Sequence, residues 1–186
     1  MLDEEQLGDY IDARFTRRLF RLETHDFLDV GSDGDDFQRY LAGQPGPDMA
    51  RKNAWLDVLR SEVAQGKYTY RVHVVRSPLT DYLRFDFEWG YVHNEEAGER
   101  IGILDLAERD APSELINHDF WLIDDEHLVL MHYDDRGRFT GAEPVDDVNE
   151  LARYQACAQA AWSAAQPFGD YWRGHPDAWR DSHHAA

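Results

Sequence analysis

Cysteine and lysine are the scarcest reactive residues in this chain. Cys157 is the single cysteine in 186 residues, which excludes an intrachain disulfide and a thiolate metal cage built within one chain. It lies among alanines in a helical pattern, where a buried, inert thiol is expected rather than a nucleophile. Lys52 and Lys67 are the only lysines; every other cation is an arginine, and with abundant Ala, Gly and Asp this usage points to a GC-rich genome. Positive charge as a whole is short. Against 37 acidic residues stand 19 basic ones, and the formal charge of −18 repels a phosphate backbone, so no direct nucleic-acid binding is expected and a basic partner fits better. No apolar run approaches the ~20 residues that span a bilayer. The acidic start Met1-Leu2-Asp3-Glu4-Glu5 lacks the positive region of a secretory signal, so a cytoplasmic protein without a membrane partner is expected. Also missing are a Gly-x-Ser-x-Gly elbow, a Gly-rich phosphate loop, a dinucleotide fingerprint and a His-Glu-x-x-His helix, so neither a cofactor nor a metal is expected.

What remains reads as one α+β domain. Apolar residues at 42% and aromatics at 13% supply a core, and the length suits a single unit. The expected division is a domain over 1–167 and a C-terminal tail over 168–186, partly docked through Trp172 and Trp179 or disordered. Leu7, Tyr10, Ile11, Phe15 and Leu19 recur at helical spacing over Glu4 to Phe20, and Arg21 to Thr24 reads as extended. The acidic loop Gly31-Ser32-Asp33-Gly34-Asp35-Asp36 caps a short helix through Leu41; its spacing does not supply the alternating ligands of a calcium loop. A helix from Asn53 to Gln65 is predicted, with Trp55, Leu56, Leu59 and Val63 as its buried stripe.

The centre is sharper. Tyr68 to Arg76 alternates, with Tyr70, Val72 and Val74 on one face and Arg71 and His73 on the other. Ser77-Pro78 then reads as cap and first turn of a helix toward Trp89 or Tyr91, and Ile101 to Leu104 as the next strand. Strand, helix and strand make a right-handed βαβ unit. A hairpin over Phe120–Ile123 and Leu128–Met131 follows, then a third strand over Arg138–Glu143, in an antiparallel meander. Val148, Leu151, Ala152, Ala158 and Trp162 form the stripe of a last helix, stopped by Pro167. The expected architecture is a central mixed β-sheet flanked by helices.

Two places hold candidate chemistry. Turn lengths predict a hairpin pairing Ile123 with Leu128, Leu122 with Val129, Phe120 with Met131, and so Asp119 with His132. An opposed carboxylate and imidazole orient a general base, or simply brace the hairpin by about 0.2–1 kcal/mol. The second place is the strand-to-helix junction, where Arg71, His73, Arg76, Ser77, Thr80 and Arg84 gather donors for an anionic ligand. His118, Asp119, His127 and His132 are close in sequence, but hairpin alternation sends them to different faces, so no metal site is read there. The terminal His183-His184 pair is read as disordered rather than ligating.

These residues carry a family likeness. Phe20-Arg21-Leu22-Glu23-Thr24, Arg71-Val72-x-Val74-Val75, Ser77-Pro78-Leu79-Thr80-x-Tyr82-Leu83-Arg84, Gly98-Glu99-Arg100-Ile101 and Asp119-Phe120-Trp121-Leu122-Ile123-Asp124-Asp125 resemble the actinobacterial domain of unknown function 6879, over roughly Phe15 to Trp162. Members of that family are commonly encoded near small helix-turn-helix regulators, so the resemblance implies a regulatory or accessory role. The element order also resembles phospholipase-D-like domains, some of which serve as sensors attached to regulators. That family's His-x-Lys motif is missing, because neither Lys52 nor Lys67 follows a histidine two positions earlier. The likeness therefore implies a non-catalytic relative.

The leading expectation is a cytoplasmic, non-enzymatic regulatory protein that binds a protein partner, a basic helix-turn-helix regulator, through its acidic surface. The alternative is a small ligand sensor or hydrolase-like enzyme with a site at one end of the sheet, using Arg71, His73, Arg84, Asp119 and His132. DNA mimicry by the acidic surface is a third possibility, and a homodimer is compatible with each.

Overall fold

Three parallel strands make the middle of the molecule: β1 (Arg18–Glu23), β2 (Tyr68–Val75) and β3 (Arg100–Asp105). The structure is a computed structural model that describes residues 1–29, 31 and 35–180. A meander of β4 (Phe120–Ile123), β5 (His127–Tyr133) and β6 (Phe139–Val145) joins antiparallel to β1. The short β7 (Gln166–Pro167) pairs with β3, giving the order β6-β5-β4-β1-β2-β3-β7. The chain is thus the α+β fold expected, a mixed sheet holding both the βαβ unit and the meander.

Around the sheet lie α1 (Glu4–Asp12), α2 (Asp36–Leu41), α3 (Met49–Ala64), α4 (Asp81–Phe85), α5 (Val92–Ala97), α6 (Val148–Ala164) and α7 (Phe168–Gly174). Between α4 and α5 runs a π-helical turn, Asp86–Tyr91. Among the described residues no helix is long and apolar enough to cross a membrane.

Strand alternation sorts the side chains onto two faces. One face packs Phe20, Leu22, Val72, Val74, Leu104, Phe120 and Leu122 under Tyr154, Cys157, Ala158 and Ala161 of α6. Each fully buried phenylalanine there contributes about 1.5–3 kcal/mol. The other face is divided. At one side Leu19, Ile123, Val129 and Met131 meet Leu7, Tyr10 and Ile11 of α1; at the other, Val75, Ile101 and Ile103 meet Leu83, Phe87, Tyr91, Phe168 and Tyr171. Between these two apolar clusters the central strands place Arg21, Glu23, Arg71 and His73, with Asp119 just before β4. A polar strip therefore runs through the middle of a covered sheet face.

Several local expectations are corrected. The first helix stops at Asp12, because Leu19, Phe20 and Leu22 are needed in a strand covered on both sides. Helix α3 starts at Met49 under an Asp48 cap that accepts from Ala50 and Arg51 N–H, not at Asn53. Only Leu56 and Leu59 of its stripe are buried, while Trp55 and Val63 are 41% and 47% exposed. On α6 the buried stripe is Tyr154, Cys157, Ala158 and Ala161, with Val148 exposed. The tail expected from Phe168 is docked where it begins: Gln166–Pro167 pairs with β3, and just beyond it Phe168 and Tyr171 are almost fully buried. Ser32 to Gly34 of the acidic loop and the His183-His184 pair lie outside the described residues.

Candidate functional site

The hairpin register decides the first candidate pair. Phe120 faces Leu130, Trp121 faces Val129, Leu122 faces Leu128 and Ile123 faces His127, one residue away from the predicted pairing. The cause is the turn. Asp124 and Asp125 both have positive φ, 54° and 62°, and Glu126 N–H donates to the Ile123 carbonyl, so three residues rather than two or four connect the strands. The Asp124 carboxylate fixes this turn by accepting from the backbone N–H of Thr16, Arg17 and Arg18 and from the Thr16 hydroxyl. With the shift, Asp119 stands opposite Met131, whose N–H donates to the Asp119 carbonyl at 2.9 Å. His132 instead meets the half-exposed Glu143 at 3.1 Å and packs edge-on against His118. The Asp119–His132 pair is not formed.

Asp119 has a different imidazole. Its Oδ1 receives Thr24 N–H at 2.8 Å, the Thr24 hydroxyl at 2.9 Å and His25 Nδ1 at 3.1 Å. Its Oδ2 is buried without a hydrogen-bond partner, 3.6 Å from Arg21 Nη2. The hydrogen bond to Asp119 raises the His25 pKa above its ordinary value against the opposing effect of burial. With Nδ1 held by the carboxylate, Nε2 is the ring nitrogen left for an incoming group.

Beneath His25 the polar strip is continuous. Glu23 accepts Arg21 Nε at 2.8 Å on one oxygen, and Arg71 Nη1 at 3.0 Å and the Tyr91 hydroxyl at 2.8 Å on the other. Arg71 Nε donates to Glu99 at 2.7 Å, and Asn94 donates to the same carboxylate at 2.9 Å. His73 joins Tyr91 OH at 2.7 Å through Nδ1 and the His25 carbonyl at 3.0 Å through Nε2. A carbonyl only accepts, so Nε2 donates to it, and the Tyr91 hydroxyl gives its single proton to Glu23. Burial alone would raise the Glu23 carboxyl; Arg71 and Arg21 outweigh it and hold it well below the usual carboxylate range. Two guanidinium groups, Arg21 and Arg71, thus face three carboxylates, Glu23, Glu99 and Asp119, and the His25 imidazole stands beside the third.

The strip surfaces in an open cleft of about 690 Å³, lined by His25, Asp26, Phe27, Tyr133 and the turn Asp134–Gly137. Tyr133 links cleft and strip, since its hydroxyl accepts from Arg21 Nη2 at 2.8 Å and its ring lies 5.0 Å from that of His25. Asp134 is spent on the turn itself, accepting from Arg136 N–H and from Arg138. Asp26 and Asp135 are not ion-paired to any lysine or arginine among the described residues.

The junction residues are dispersed rather than convergent. Arg71 and His73 belong to the strip, and Arg76 is exposed. Ser77 does not cap the helix; its N–H and hydroxyl go to Asp105, and Thr80 caps α4 by accepting Leu83 N–H at 3.2 Å. Arg84 binds the Leu79 carbonyl and Asp81. Sequence reasoning missed Glu23, His25, Tyr91, Glu99 and Tyr133. The available signal was Arg21-Leu22-Glu23, where charge alternates with an apolar residue in a strand that is central.

Compared with known proteins, the chain is matched over residues 5–173 by a family model described as Domain of unknown function (DUF6879). No curated protein matches it.

Proposed function

This chain belongs to the DUF6879 family, and from that membership and the cleft we propose a regulatory or accessory protein that binds a basic protein partner. The partner class is a helix-turn-helix transcriptional regulator. One observation carries the reading: Asp26 and Asp135, without a lysine or arginine ion pair among the described residues, share a cleft with the exposed Phe27 and the ring of Tyr133. Carboxylates beside aromatic faces suit an arginine or lysine side chain, through charge-assisted hydrogen bonds and cation–π contact. The excess of 37 acidic over 19 basic residues supports steering of the same partner and opposes nucleic acid. The proposal places the chain in the cytoplasm of an actinobacterium, where the arginine-over-lysine usage of a GC-rich genome fits, and leaves a homodimer open.

The test is capture by the tagged chain from its native host at low salt, with a salt step and identification of what elutes. Stoichiometric recovery of one basic regulator, lost with Asp26→Asn/Asp135→Asn, is the expected result. A complex equally tight at about 0.5 M salt overturns the electrostatic part.

A second reading, a ligand sensor or hydrolase-like enzyme, is favoured by the Asp119–His25 pair, because a buried carboxylate holding a half-exposed imidazole is the geometry of an oriented base. If capture returns the chain alone, small-molecule screening with Asp119→Asn and His25→Ala as controls tests it.

A further inference from the structure

Away from the cleft, ligating side chains gather where β3 ends. Asp105 closes the strand, Glu108 lies in the turn after it, and His175 follows α7; one ligand atom from each lies within 4.8 Å of the other two. We propose that these three residues bind one divalent transition-metal ion of the zinc class, which fastens α7 to the end of the sheet.

The imidazole is prepared for it. His175 Nδ1 donates to the Tyr171 carbonyl at 2.7 Å, and the ring stacks on that of Tyr171 with centroids 4.0 Å apart. A backbone carbonyl on one ring nitrogen fixes the tautomer and presents the other, Nε2, to an ion. Nε2 stands 2.8 Å from Glu108 Oε1. Four-coordinate zinc, with bonds of about 2.0–2.2 Å, needs these atoms only slightly farther apart, roughly 3.3 Å.

Asp105 is equally fixed, with Oδ1 accepting the N–H of Ser77 at 3.1 Å and of Ala107 at 2.9 Å. Its Oδ2 holds the Ser77 and Tyr171 hydroxyls. An ion at Oδ2 displaces the Tyr171 proton, which has another acceptor in Ser77 Oγ at 3.2 Å.

Charge supplies the independent argument. The buried carboxylates Glu23, Asp36, Glu99 and Asp119 each have an arginine within 4 Å, whereas Asp105, like Asp124, has no arginine or lysine paired to it among the described residues; at Asp105 a second carboxylate without such a pair, Glu108, and the His175 imidazole stand within ligating reach. Two carboxylates, one of them buried, thus face one imidazole and no paired lysine or arginine among the described residues, and a divalent ion balances them. One nitrogen and two oxygens suit zinc better than magnesium, which demands octahedral oxygen. Three protein ligands leave a fourth position for water, reached past the half-exposed Glu108.

The test uses the full chain stripped with chelator, titrated with ZnCl₂ by calorimetry and melted with and without it. One equivalent is expected to bind and raise the Tm, with MgCl₂ at the same concentration inert and Co²⁺ giving a visible ligand-field band. His175→Ala and Glu108→Gln, neither at a fully buried position, should each weaken binding at least about tenfold. His183→Ala/His184→Ala should leave it intact. No saturable uptake, uptake unchanged in His175→Ala and Glu108→Gln, or uptake lost with the terminal histidines overturns the proposal.

Discussion

Arg21 and Arg71 stand opposite one another in the parallel β1–β2 register, side by side on the same covered face of the sheet. Two guanidinium groups so placed repel, and Glu23 holds them by giving one carboxylate oxygen to each, at 2.8 and 3.0 Å. Glu23→Gln keeps the shape and removes the charge. Breaking a buried pair by neutralising one partner costs about 3–5 kcal/mol, so the urea midpoint should fall sharply. The control is Glu126→Gln. That residue's bridge to Arg17 is about two-thirds exposed on both sides, and its loss should cost well under 1 kcal/mol.

The Asp119–His25 pair makes a pH prediction. The folded-state His25 pKa is raised above the unfolded value of about 6.5, so the pair's stabilisation is fully present below that pH and lost as pH rises through the folded value. An NMR titration of the His25 ring should show a midpoint above 6.5, and Asp119→Asn should bring it down by removing the main cause. An unchanged midpoint in Asp119→Asn would refute the assignment of the shift to this carboxylate.

Periodicity made the fold legible but not the site. Alternation in Tyr68 to Val75 and the apolar runs of the hairpin were enough to place β2, β4 and β5, because burial on a pleated surface imposes period two. Asp119 was singled out from the same stretch, yet its partner was misplaced, since a three-residue connection with Asp124 and Asp125 at positive φ shifts the register by one. Nothing local announces that shift. It depends on Asp124 reaching back more than a hundred positions to the N–H groups where β1 begins. His25, Tyr91 and Glu99 were illegible for the same reason: each meets the strip through tertiary packing. The Asp105, Glu108 and His175 group escaped a search for short ligand spacings because its third member is 67 positions from the second.

Asp124 itself predicts an acid-sensitive step. Its carboxyl is lowered to about 2, where burial would raise it but the Thr16 hydroxyl and three backbone N–H groups prevail. A depressed folded value contributes stability above the unfolded pKa of about 3.9, and that contribution fades as pH falls from 4 toward 2. Asn tolerates the left-handed backbone of this position, so Asp124→Asn isolates the charge. The variant should lose about 1–3 kcal/mol at pH 7, the worth of hydrogen bonds to a charged group, and little at pH 2. Equal losses at both pH values would mean that geometry rather than ionisation is what the carboxylate provides.

Gly98 ends α5 at φ +110°, and a Cβ built there would lie 2.7 Å from Val63 Cγ2 on α3. Two separable costs follow for Gly98→Ala: backbone strain of roughly 1–2 kcal/mol in a region L residues rarely adopt, and overpacking of about 1–3 kcal/mol against a stiff β-branched neighbour. Val63→Ala removes the clashing methyl and leaves the strain. A double-mutant cycle by urea unfolding should therefore show the two changes coupled by 1 kcal/mol or more, with Gly98→Ala milder in the Val63→Ala background. Val63 is 47% exposed, so its own truncation should cost little and leave that coupling readable. Strict additivity would place the whole penalty in the backbone and show that α3 moves aside freely. That outcome fits a helix attached to the body through only two fully buried side chains, Leu56 and Leu59, so the cycle also measures how firmly α3 is held.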